Sequence, residues 1–499
     1  MKLSLLFAVT QTWLACSAIT HFEDPRPVKR VRLVKQGTGK AVYHVPLEDY
    51  LAAQFDHALL GIQQAVSPPE AARGAMQASP SREHPNYFYH WVRDTGLVMD
   101  LVADLYAETS DQREQERWGT ILADHATFSR GLQLVPNQSG GPGEPKFYMN
   151  GTAFQGTWGR PQNDGPAVRA FAITKYGETW AHRGGDLSTL YRPDLPTTTV
   201  IKTDLEYTAH HWDDPSFDIW EEVRGRHFFN LLASRKALLV GAELADRQDD
   251  SGAAEFYRNQ AALIRDRLDS YWDPELGYVV TSRNRDEGVS KSSNLDVQVV
   301  VAAIHAGLDD GIYTPESDRI LATADAITRR FQYLFPVNQQ QKTSGIGPAI
   351  GRYPEDVYDG YGVSIGNPWV LATAYLAELH YYVAAKWHRD GHFTLTAVNL
   401  SFFRRASPTV ARRFGADSLR DDNVGVTFDT HNAEFRAILK EVGASGDGFL
   451  RRIHYHSRGD LNLYEQWDRV TGQARGAKDL TWSYAAFVRA VRARKRLQL

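Results

Sequence analysis

The chain has 499 residues, with 56 Lys and Arg against 60 Asp and Glu, which gives a net charge of −4. This near-neutral balance argues against a protein that binds nucleic acid or an anionic membrane surface. A hydrophobic content of 42% argues against an extended disordered chain, and no internal apolar run reaches the ~18 residues that a membrane span requires.

The first 18 residues have the pattern of a secretory signal peptide. Lys2 is followed by an apolar stretch and then by small residues around Cys16 and Ala18. Cys16 is the only cysteine, so cleavage near Ala18 predicts a mature chain without disulfides or thiolate chemistry. A helix buried in the fold and a lipoprotein signal ending at Cys16 are the alternatives, and Trp13 fits the second one badly.

Three N-glycosylation sequons agree with secretion from a eukaryotic cell, although a chain of this length contains a few by chance. They begin at Asn137, Asn150 and Asn399. We therefore expect a secreted extracellular glycoprotein, with the vacuole or another secretory compartment as the alternative location.

Residues 19–46 are charged and poorly periodic, which predicts an N-terminal arm that packs on the main body. From residue 47 to 499 an apolar period of 3.6 residues keeps returning, as in amphipathic helices. The clearest stripes are Leu51, Phe55, Ala58 and Ile62; Leu97, Leu101 and Leu105; Tyr257, Ala261, Ile264, Leu268 and Trp272; and Tyr484, Val488 and Val491.

Helix start signals and the scarcity of strand patterns complete the prediction of the fold. Asn367-Pro368 and Asp164-Gly165-Pro166 each place an N-cap residue beside a proline that the first helical turn tolerates. Alternating β patterns are confined to short candidates around residues 393–399. We predict one large all-α domain of roughly a dozen helices, with no low-complexity linker between them.

Five polar segments interrupt the helical pattern, and each precedes a predicted helix. They are YFYHWVRD (87–94), WGRPQNDGP (158–166), DIWEEVRG (218–225), GRYPEDVYDGYGVSIGNPW (351–369) and YEQWDRVTG (464–472). Loops on a rigid helical scaffold often carry function. Six of the 12 tryptophans fall in or just beside these segments rather than on helix stripes, which favours a binding role for the aromatic side chains.

Carboxylates are crowded in the third segment. Asp218, Glu221 and Glu222 lie within five residues and flank Trp220, so we expect the pKa of at least one of them to be raised. Glu465 is a second candidate in the fifth segment. One protonated and one ionised carboxyl group are what glycoside hydrolysis requires; the alternative is a solvated acidic helix start.

Other chemistries lack their sequence patterns. The chain has no HExxH motif and no Cys/His cluster, so a metal hydrolase is unsupported and we predict neither a metal site nor a cofactor. No phosphate-binding loop or dinucleotide fingerprint follows a predicted strand, and no GxSxG nucleophile motif is present. The adjacent pair His210-His211 is better explained by a structural role.

Several motifs together resemble the fungal and yeast glucoamylases of glycoside hydrolase family fifteen. They are WVRD (91–94), GEPKF (143–147), WGRPQNDGPAVR (158–169), IKTDLEY (201–207), DIWEEVRGRHFF (218–229), GRYPEDVY with GNPW, YEQWDRVTG and LTWSYA (480–485). They occur in the family's order from about residue 50 to 495. The resemblance implies an (α/α)6 barrel of six inner and six outer helices with a pocket at one end.

The resemblance also implies an activity and its residues. The family releases glucose from the non-reducing ends of starch and maltooligosaccharides, breaking α-1,4 bonds and, more slowly, α-1,6 bonds, with inversion to β-D-glucose. Glu221 resembles its general acid and Glu465 its general base. The substrate-binding positions that match are Tyr87, Arg93, Asp94, Trp158, Asp218, Trp220, Glu222, Arg352 and Trp369. Inversion requires water beside the base, so the two carboxyl groups should stand roughly 6.5–9.5 Å apart.

Three departures from the filamentous-fungal pattern lead us to expect a single-domain form without a starch-binding domain, and we separately expect a monomer. The chain ends within 20 residues of LTWSYA, lacks cysteines after the signal region, and carries a longer stretch, DGYGVSI, before GNPW. Two other functions stay open. One is a related exo-hydrolase of isomaltose-like or trehalose-like substrates. The other is a non-catalytic carbohydrate-binding barrel, which would be expected to lose Glu221 or Glu465.

Overall fold

A computed structural model describes residues 45–340, 345–415, 425–457 and 460–497. The predicted signal peptide and all but the last two residues of the predicted arm lie outside the described residues. Within the described part, residues 45–497 belong to one compact unit. No helix of the described ranges combines the length and apolar character that crossing a membrane requires.

Fifteen α-helices account for most of the described chain, as the 3.6-residue period predicts. In chain order they are α1 Leu47–Ala65, α2 Val92–Glu108, α3 Gln112–Leu134, α4 Asp164–His182, α5 Val200–His211, α6 Phe228–Arg247, α7 Ser251–Leu268, α8 Gln298–Ala306, α9 Asp318–Leu334, α10 Pro336–Gln340, α11 Val370–Asp390, α12 Leu400–Ala406, α13 Pro408–Phe414, α14 Ala433–Ser457 and α15 Thr481–Arg496.

Six of the helices form a closed inner ring. Each packs against the next in the order α2, α4, α6, α8, α11 and α15, and α15 packs back against α2. Outer helices cover this ring: α1 packs on α15, α3 on α2, α5 on α4 and α6, α7 on α6, α9 on α8, and α14 on α11. The described chain is therefore an (α/α)6 barrel, which confirms the predicted fold class.

The inner helices bury charged side chains as well as apolar ones. Asp100 on α2 accepts a hydrogen bond from Lys175 on α4 and forms an ion pair with Arg489 on α15 at 3.2 Å. It also lies 3.4 Å from Nδ1 of His305 on α8, whose pKa burial lowers to about 3, so this imidazole is neutral. Arg489 also pairs with Glu378 on α11 at 3.1 Å. Because an unpaired charge in such a core would cost several kcal/mol, this network connects five of the six inner helices to one another.

Eleven short strands in the described residues hold the loops at the helix N-termini. They are β1 His90–Trp91, β2 Lys146–Phe147, β3 Ser216–Phe217, β4 Val223–His227, β5 Trp272–Asp273, β6 Tyr278–Val279, β7 Ser282–Gly288, β8 His392–Leu395, β9 Val426–Asp429, β10 Gln466–Trp467 and β11 Ala474–Arg475. All pairs are antiparallel: β1 with β2, β3 with β4, β4 with β7, β5 with β6, β8 with β9, and β10 with β11.

The structure confirms the stripes on α1, α2 and α15 and corrects four details. The stripe on α7 ends at Leu268, and Trp272 begins a strand. Asn367 is not an N-cap residue, because α11 starts after Trp369. The N-cap position of α4 is occupied by Asn163, and Asp164 is the first residue of the helix. The predicted strand at 393–399 covers only 392–395. The pattern also missed β7, since six of its seven residues are exposed and show no alternation.

Candidate active site

One segment of the chain, residues 87–91, contacts both predicted catalytic carboxylates. The Tyr87 hydroxyl donates to Glu465 Oε1 at 2.8 Å, and Trp91 Nε1 donates to Glu221 Oε1 at 2.8 Å. The two rings are 5.4 Å apart between centroids. Pairing of β1 with β2 fixes this segment. Two glutamates that are 244 positions apart by their numbers, 465 and 221, thus face one aromatic pair.

Glu221 occupies a tight turn between β3 and β4 rather than a solvated helix start. Its backbone φ is +66°, in the left-handed region that non-glycine residues rarely adopt. Trp91 and Gln162 Nε2 (3.1 Å) both donate to Oε1, while Oε2 accepts no hydrogen bond from the described residues. The side chain is 16% exposed, so one carboxyl oxygen is left to carry a proton towards a ligand.

Glu465 lies at the start of β10 and is 1% exposed. Its backbone is fixed by hydrogen bonds with Ala477 and Val370. Burial raises the pKa of Glu465, while the hydroxyls of Tyr87 at 2.8 Å and Tyr358 at 3.3 Å donate to its two oxygens and lower the pKa in part. Burial is the larger effect, so the pKa of Glu465 is raised to about 8, and the two hydroxyl donors stabilise the proton-accepting ionised form only in part.

Arg93 and Asp94 open α2 beside Glu221. Arg93 Nη1 donates to Gln162 at 2.7 Å and lies 3.3 Å from Asp164, and its Nη2 lies 3.3 Å from Asp94 and 3.6 Å from Glu221. Burial raises the pKa of Asp94 to about 6, against the lowering effect of Arg93. Asp94 is 14% exposed, so this guanidinium and carboxylate can serve neighbouring hydroxyls of a sugar.

Arg352 joins a second pair of carboxylates. Its Nε and Nη2 donate to Asp356 at 2.8 and 2.6 Å, and Nη2 also donates to Glu222 at 2.7 Å. The Tyr353 hydroxyl donates to the other oxygen of Glu222 at 2.6 Å. Nη1 of Arg352 makes no hydrogen bond with the described residues. The guanidinium stands 5.1–5.4 Å from the ring centroids of Trp220, Tyr353, Tyr358 and Trp369.

Tryptophans form two groups around the carboxylates. Trp158 lies 6.1 Å from Trp91 on the Glu221 side. Trp220 contacts Trp369 at 5.6 Å and Trp482 at 6.1 Å, between the Arg352 cluster and α15. The predicted substrate-binding residues therefore lie around the two glutamates. Two of them, Asp218 and Trp220, are 0% and 7% exposed and make their polar contacts within the protein.

The surroundings shift the pKa values of Asp218 and Glu222 in opposite directions. Burial raises the pKa of Glu222, as predicted for at least one of them. Burial also acts on Asp218, but Lys291, whose Nζ lies 2.7 Å away, lowers the pKa of Asp218 to about 2. The pKa of Glu222 is raised mainly by burial, and the repulsion between like charges that the sequence suggested is a smaller cause.

Sequence reasoning missed five residues at this site. Gln162, Lys146 and Tyr358 lie inside the quoted motifs, so the motifs held a signal for them, whereas Lys291 and Asp296 lie in a segment that no motif marked. Lys146 stands over the Trp158 ring at 3.3 Å, and burial lowers its pKa to about 8. Among the described residues, no three His, Cys, Asp or Glu side chains gather as a metal site would require.

Known proteins are similar to this chain in sequence and in fold. A model of the glycosyl hydrolases family 15 matches residues 56–492. A glucoamylase of Blastobotrys adeninivorans is 37% identical over 448 residues, covering 87% of this chain and 69% of the relative. One from Saccharomycopsis fibuligera is 31% identical, covering 100% of this chain and 99% of the relative.

Solved structures show the same likeness. The glucoamylase of Saccharomycopsis fibuligera has a TM-score of 0.81 at 30% identity, covering 91% of this chain and 96% of that one. The family 15 glucoamylase of Hypocrea jecorina has a TM-score of 0.79 at 34% identity, covering 90% and 72%.

Two glycines provide a matched test of how tightly Glu465 is held. Gly476 and Gly277 both have φ +72°, but a Cβ on Gly476 would meet Glu465 Oε2, whereas a Cβ on Gly277 would meet nothing within 4 Å. We expect Gly277→Ala to cost about 1–2 kcal/mol of backbone strain and Gly476→Ala about 1–3 kcal/mol more from overpacking. Urea unfolding of both variants measures the difference. Equal losses would mean that Glu465 moves aside freely.

Proposed function

The chain belongs to glycosyl hydrolase family 15, and on this basis we propose that it removes glucose from the non-reducing ends of starch and maltooligosaccharides with inversion of configuration. Its relatives are glucoamylases, and the chain is a glucan 1,4-α-glucosidase. The finer proposal is that it cleaves terminal α-1,4 bonds, and α-1,6 bonds more slowly, and releases β-D-glucose. We also propose that it acts as a monomer, since the site residues described above come from one chain and none of them has to be supplied by a second copy.

The observation that carries this proposal is the contact of Tyr87 and Trp91 with two differently solvated glutamates. Glu221 is partly exposed, and its Oε2 accepts no hydrogen bond from the part of the chain that the structure describes, which leaves this oxygen available to donate a proton to a ligand. Glu465 receives hydroxyl donors on both oxygens, as a proton acceptor requires. Glycoside hydrolysis with inversion uses two carboxyl groups in these opposite roles, one as general acid and one as general base.

The proposed reaction follows from those roles. Glu221 gives its proton to the glycosidic oxygen while the C1–O bond breaks. Glu465 takes a proton from a water molecule whose oxygen bonds to C1 from the opposite face, which inverts the configuration at C1. Exchange with solvent then returns the proton to Glu221 and removes it from Glu465. Arg93, Asp94 and Arg352 hold hydroxyls of the terminal sugar, and Trp158 contacts its ring.

The test of this function is the form of glucose released from maltoheptaose in the first minutes, observed by proton NMR. We expect β-D-glucose to appear first and the remaining oligosaccharide to shorten one unit at a time. Release of α-D-glucose would contradict inversion, and early fragments of intermediate length would contradict exo-action. Comparison with isomaltose and trehalose under the same conditions ranks the competing substrate classes.

Two variants separate the acid from the base. Fluoride leaves C1 without needing a proton, so α-D-glucosyl fluoride bypasses the acid but not the base. We expect Glu221→Gln to lower kcat on maltose by about 10²–10⁴-fold while its activity on the fluoride falls far less. Glu465→Gln should lose both activities by about 10²-fold or more. The reverse pattern would exchange the two roles, and full activity of either variant would remove that residue from the reaction.

The Tyr87 hydroxyl should set the acidic limb of the pH profile. Its hydrogen bond favours ionised Glu465 and lowers the pKa of that group against the effect of burial. In Tyr87→Phe the pKa of Glu465 rises, so the ionised base is lost at a higher pH as the solution is acidified. We expect the acidic limb of kcat/KM to shift upward in pH, with the basic limb unchanged. An unshifted acidic limb would show that Glu465 does not control it.

We further infer that the chain is secreted and carries a glycan at Asn150. The proposal rests on the signal-like residues 1–18 and on the placement of the sequons. Asn150 is exposed, whereas Asn399 is 2% exposed and donates to Asp318 at 2.8 Å. Asn137 is half-buried and donates to two carbonyls. In glycopeptide mass spectrometry of secreted material we expect Asn150 to be modified and Asn399 bare. A glycan on Asn399 would contradict this assignment.

A further inference from the structure

Lys291 is a buried cation next to the turn that carries Glu221. It lies between β7 and α8 and is 1% exposed. Its Nζ donates to Asp218 Oδ2 at 2.7 Å and to Asp296 Oδ2 at 3.0 Å, and it stands 3.9 Å from the centroid of the Tyr353 ring. One ammonium group thus pairs with two buried carboxylates.

Asp218 uses its other oxygen to close the Glu221 turn. Its Oδ1 accepts the backbone N–H groups of Glu222 at 2.9 Å and Val223 at 3.2 Å. The backbone of Asp218 bonds to Val223 as well, and its carbonyl accepts the Glu221 N–H at 2.8 Å. Left-handed backbone at a non-glycine residue costs on the order of 1–3 kcal/mol and persists only where the surroundings enforce it. Here the Asp218 carboxylate holds Glu221 in this conformation through its hydrogen bonds to the next two backbone N–H groups.

Asp296 fixes the residue on the other side of the turn. Both of its oxygens accept from Trp220 Nε1, at 2.9 and 3.1 Å, and Oδ1 accepts the Gln298 N–H at 2.9 Å at the start of α8. Trp220 directly precedes Glu221. Lys291 therefore connects the two carboxylates that hold the chain on both sides of the glutamate.

We propose that Lys291 is a positioning residue for hydrolysis, which fixes the direction of the Glu221 carboxyl group through Asp218 and Asp296 without touching the substrate. The inference rests on the proposed role of Glu221 as the acid. Without the ammonium group, Asp218 and Asp296 are left as neighbouring buried carboxylates that repel each other. The turn then relaxes, and the proton of Glu221 no longer points at the glycosidic oxygen.

The loop around Lys291 has anchors that do not involve its ammonium group. Glu355 accepts hydrogen bonds from Ser292 and Ser293, and Asn294 exchanges two hydrogen bonds with the backbone of Ser282. Arg285 donates to the Lys291 carbonyl at 2.7 Å. Replacement of the side chain alone should therefore leave the loop in place, and Lys291→Met retains nearly the same volume.

The test compares maltose, whose leaving group needs a proton, with α-D-glucosyl fluoride, whose leaving group does not. For Lys291→Met we expect kcat on maltose to fall at least about tenfold more than kcat on the fluoride, with KM for maltose within about twofold, since general acid catalysis contributes about 10²–10⁴-fold. Lys291→Arg retains the charge and should recover part of the lost selectivity.

Lys202 offers a matched control remote from the turn. It is also 1% exposed, and its Nζ pairs with two carboxylates, Asp250 at 2.7 Å and Glu206 at 3.0 Å. We expect Lys202→Met to lower the melting temperature as Lys291→Met does, and to leave the ratio of the two activities unchanged. An equal loss on both substrates in Lys291→Met, or an unchanged ratio, would overturn the positioning role.

Two further measurements keep the inference testable. If Lys291→Met does not fold, Lys291→Gln, which keeps hydrogen-bond donors without the charge, replaces it, and an unchanged ratio in that folded variant would likewise overturn the proposal. Glu221→Gln measured in parallel separates the two hypotheses. Full activity of Glu221→Gln on maltose would refute the acid assignment itself, whereas a normal ratio in Lys291→Met beside an inactive Glu221→Gln would refute only the role of Lys291.

Discussion

Each charge buried at the N-terminal end of the inner helices requires an opposite charge, and this requirement organises the site. Asp164 has Arg93 as its partner, Asp218 has Lys291, and Asp356 shares Arg352 with Glu222. Arg93 and Asp164 lie in the first turns of different inner helices, and the pairs Asp218–Lys291 and Glu222–Arg352 each join two separate loops. Removing one member of such a pair costs about 3–5 kcal/mol because the other charge remains buried. These pairs therefore hold the loops in place above the helices.

The helical barrel makes this arrangement possible. Apolar packing and the network around Asp100 hold the inner helices together, so the N-termini of these helices keep fixed positions relative to one another. Short ladders such as β1 with β2 and β10 with β11 then fix the backbone on which Trp91 and Glu465 stand. A site that must hold two carboxyl groups at a set separation benefits from such rigidity, because small displacements lower the rate steeply.

Local sequence predicted the helices well and the loops poorly. The stripes of α1 and α15 indicated helices because one face of each is buried against a neighbour, which is what the period reports. Strand β7 has no buried face and so no pattern. Trp272 continued the numerical period of α7 but lies in a strand, and Asn367 preceded a proline without capping a helix; its side chain bonds to Gln466 instead. Periodicity and capping patterns depend only on residues close in sequence, so they carry no information about such distant partners.

The sequence by itself determined the helical class and the family, and it predicted the two glutamates as the catalytic pair, because these inferences depend on periodicity and on motifs of adjacent residues. Tertiary structure alone decided the partners that give those glutamates different environments. Tyr87 and Glu465 are 378 residues apart, Trp91 and Glu221 are 130 apart, and Lys291 lies 73 residues from Asp218. Burial and hydrogen bonding set the ionisation of a carboxyl group, and both depend on which distant segments the closed ring of helices brings together.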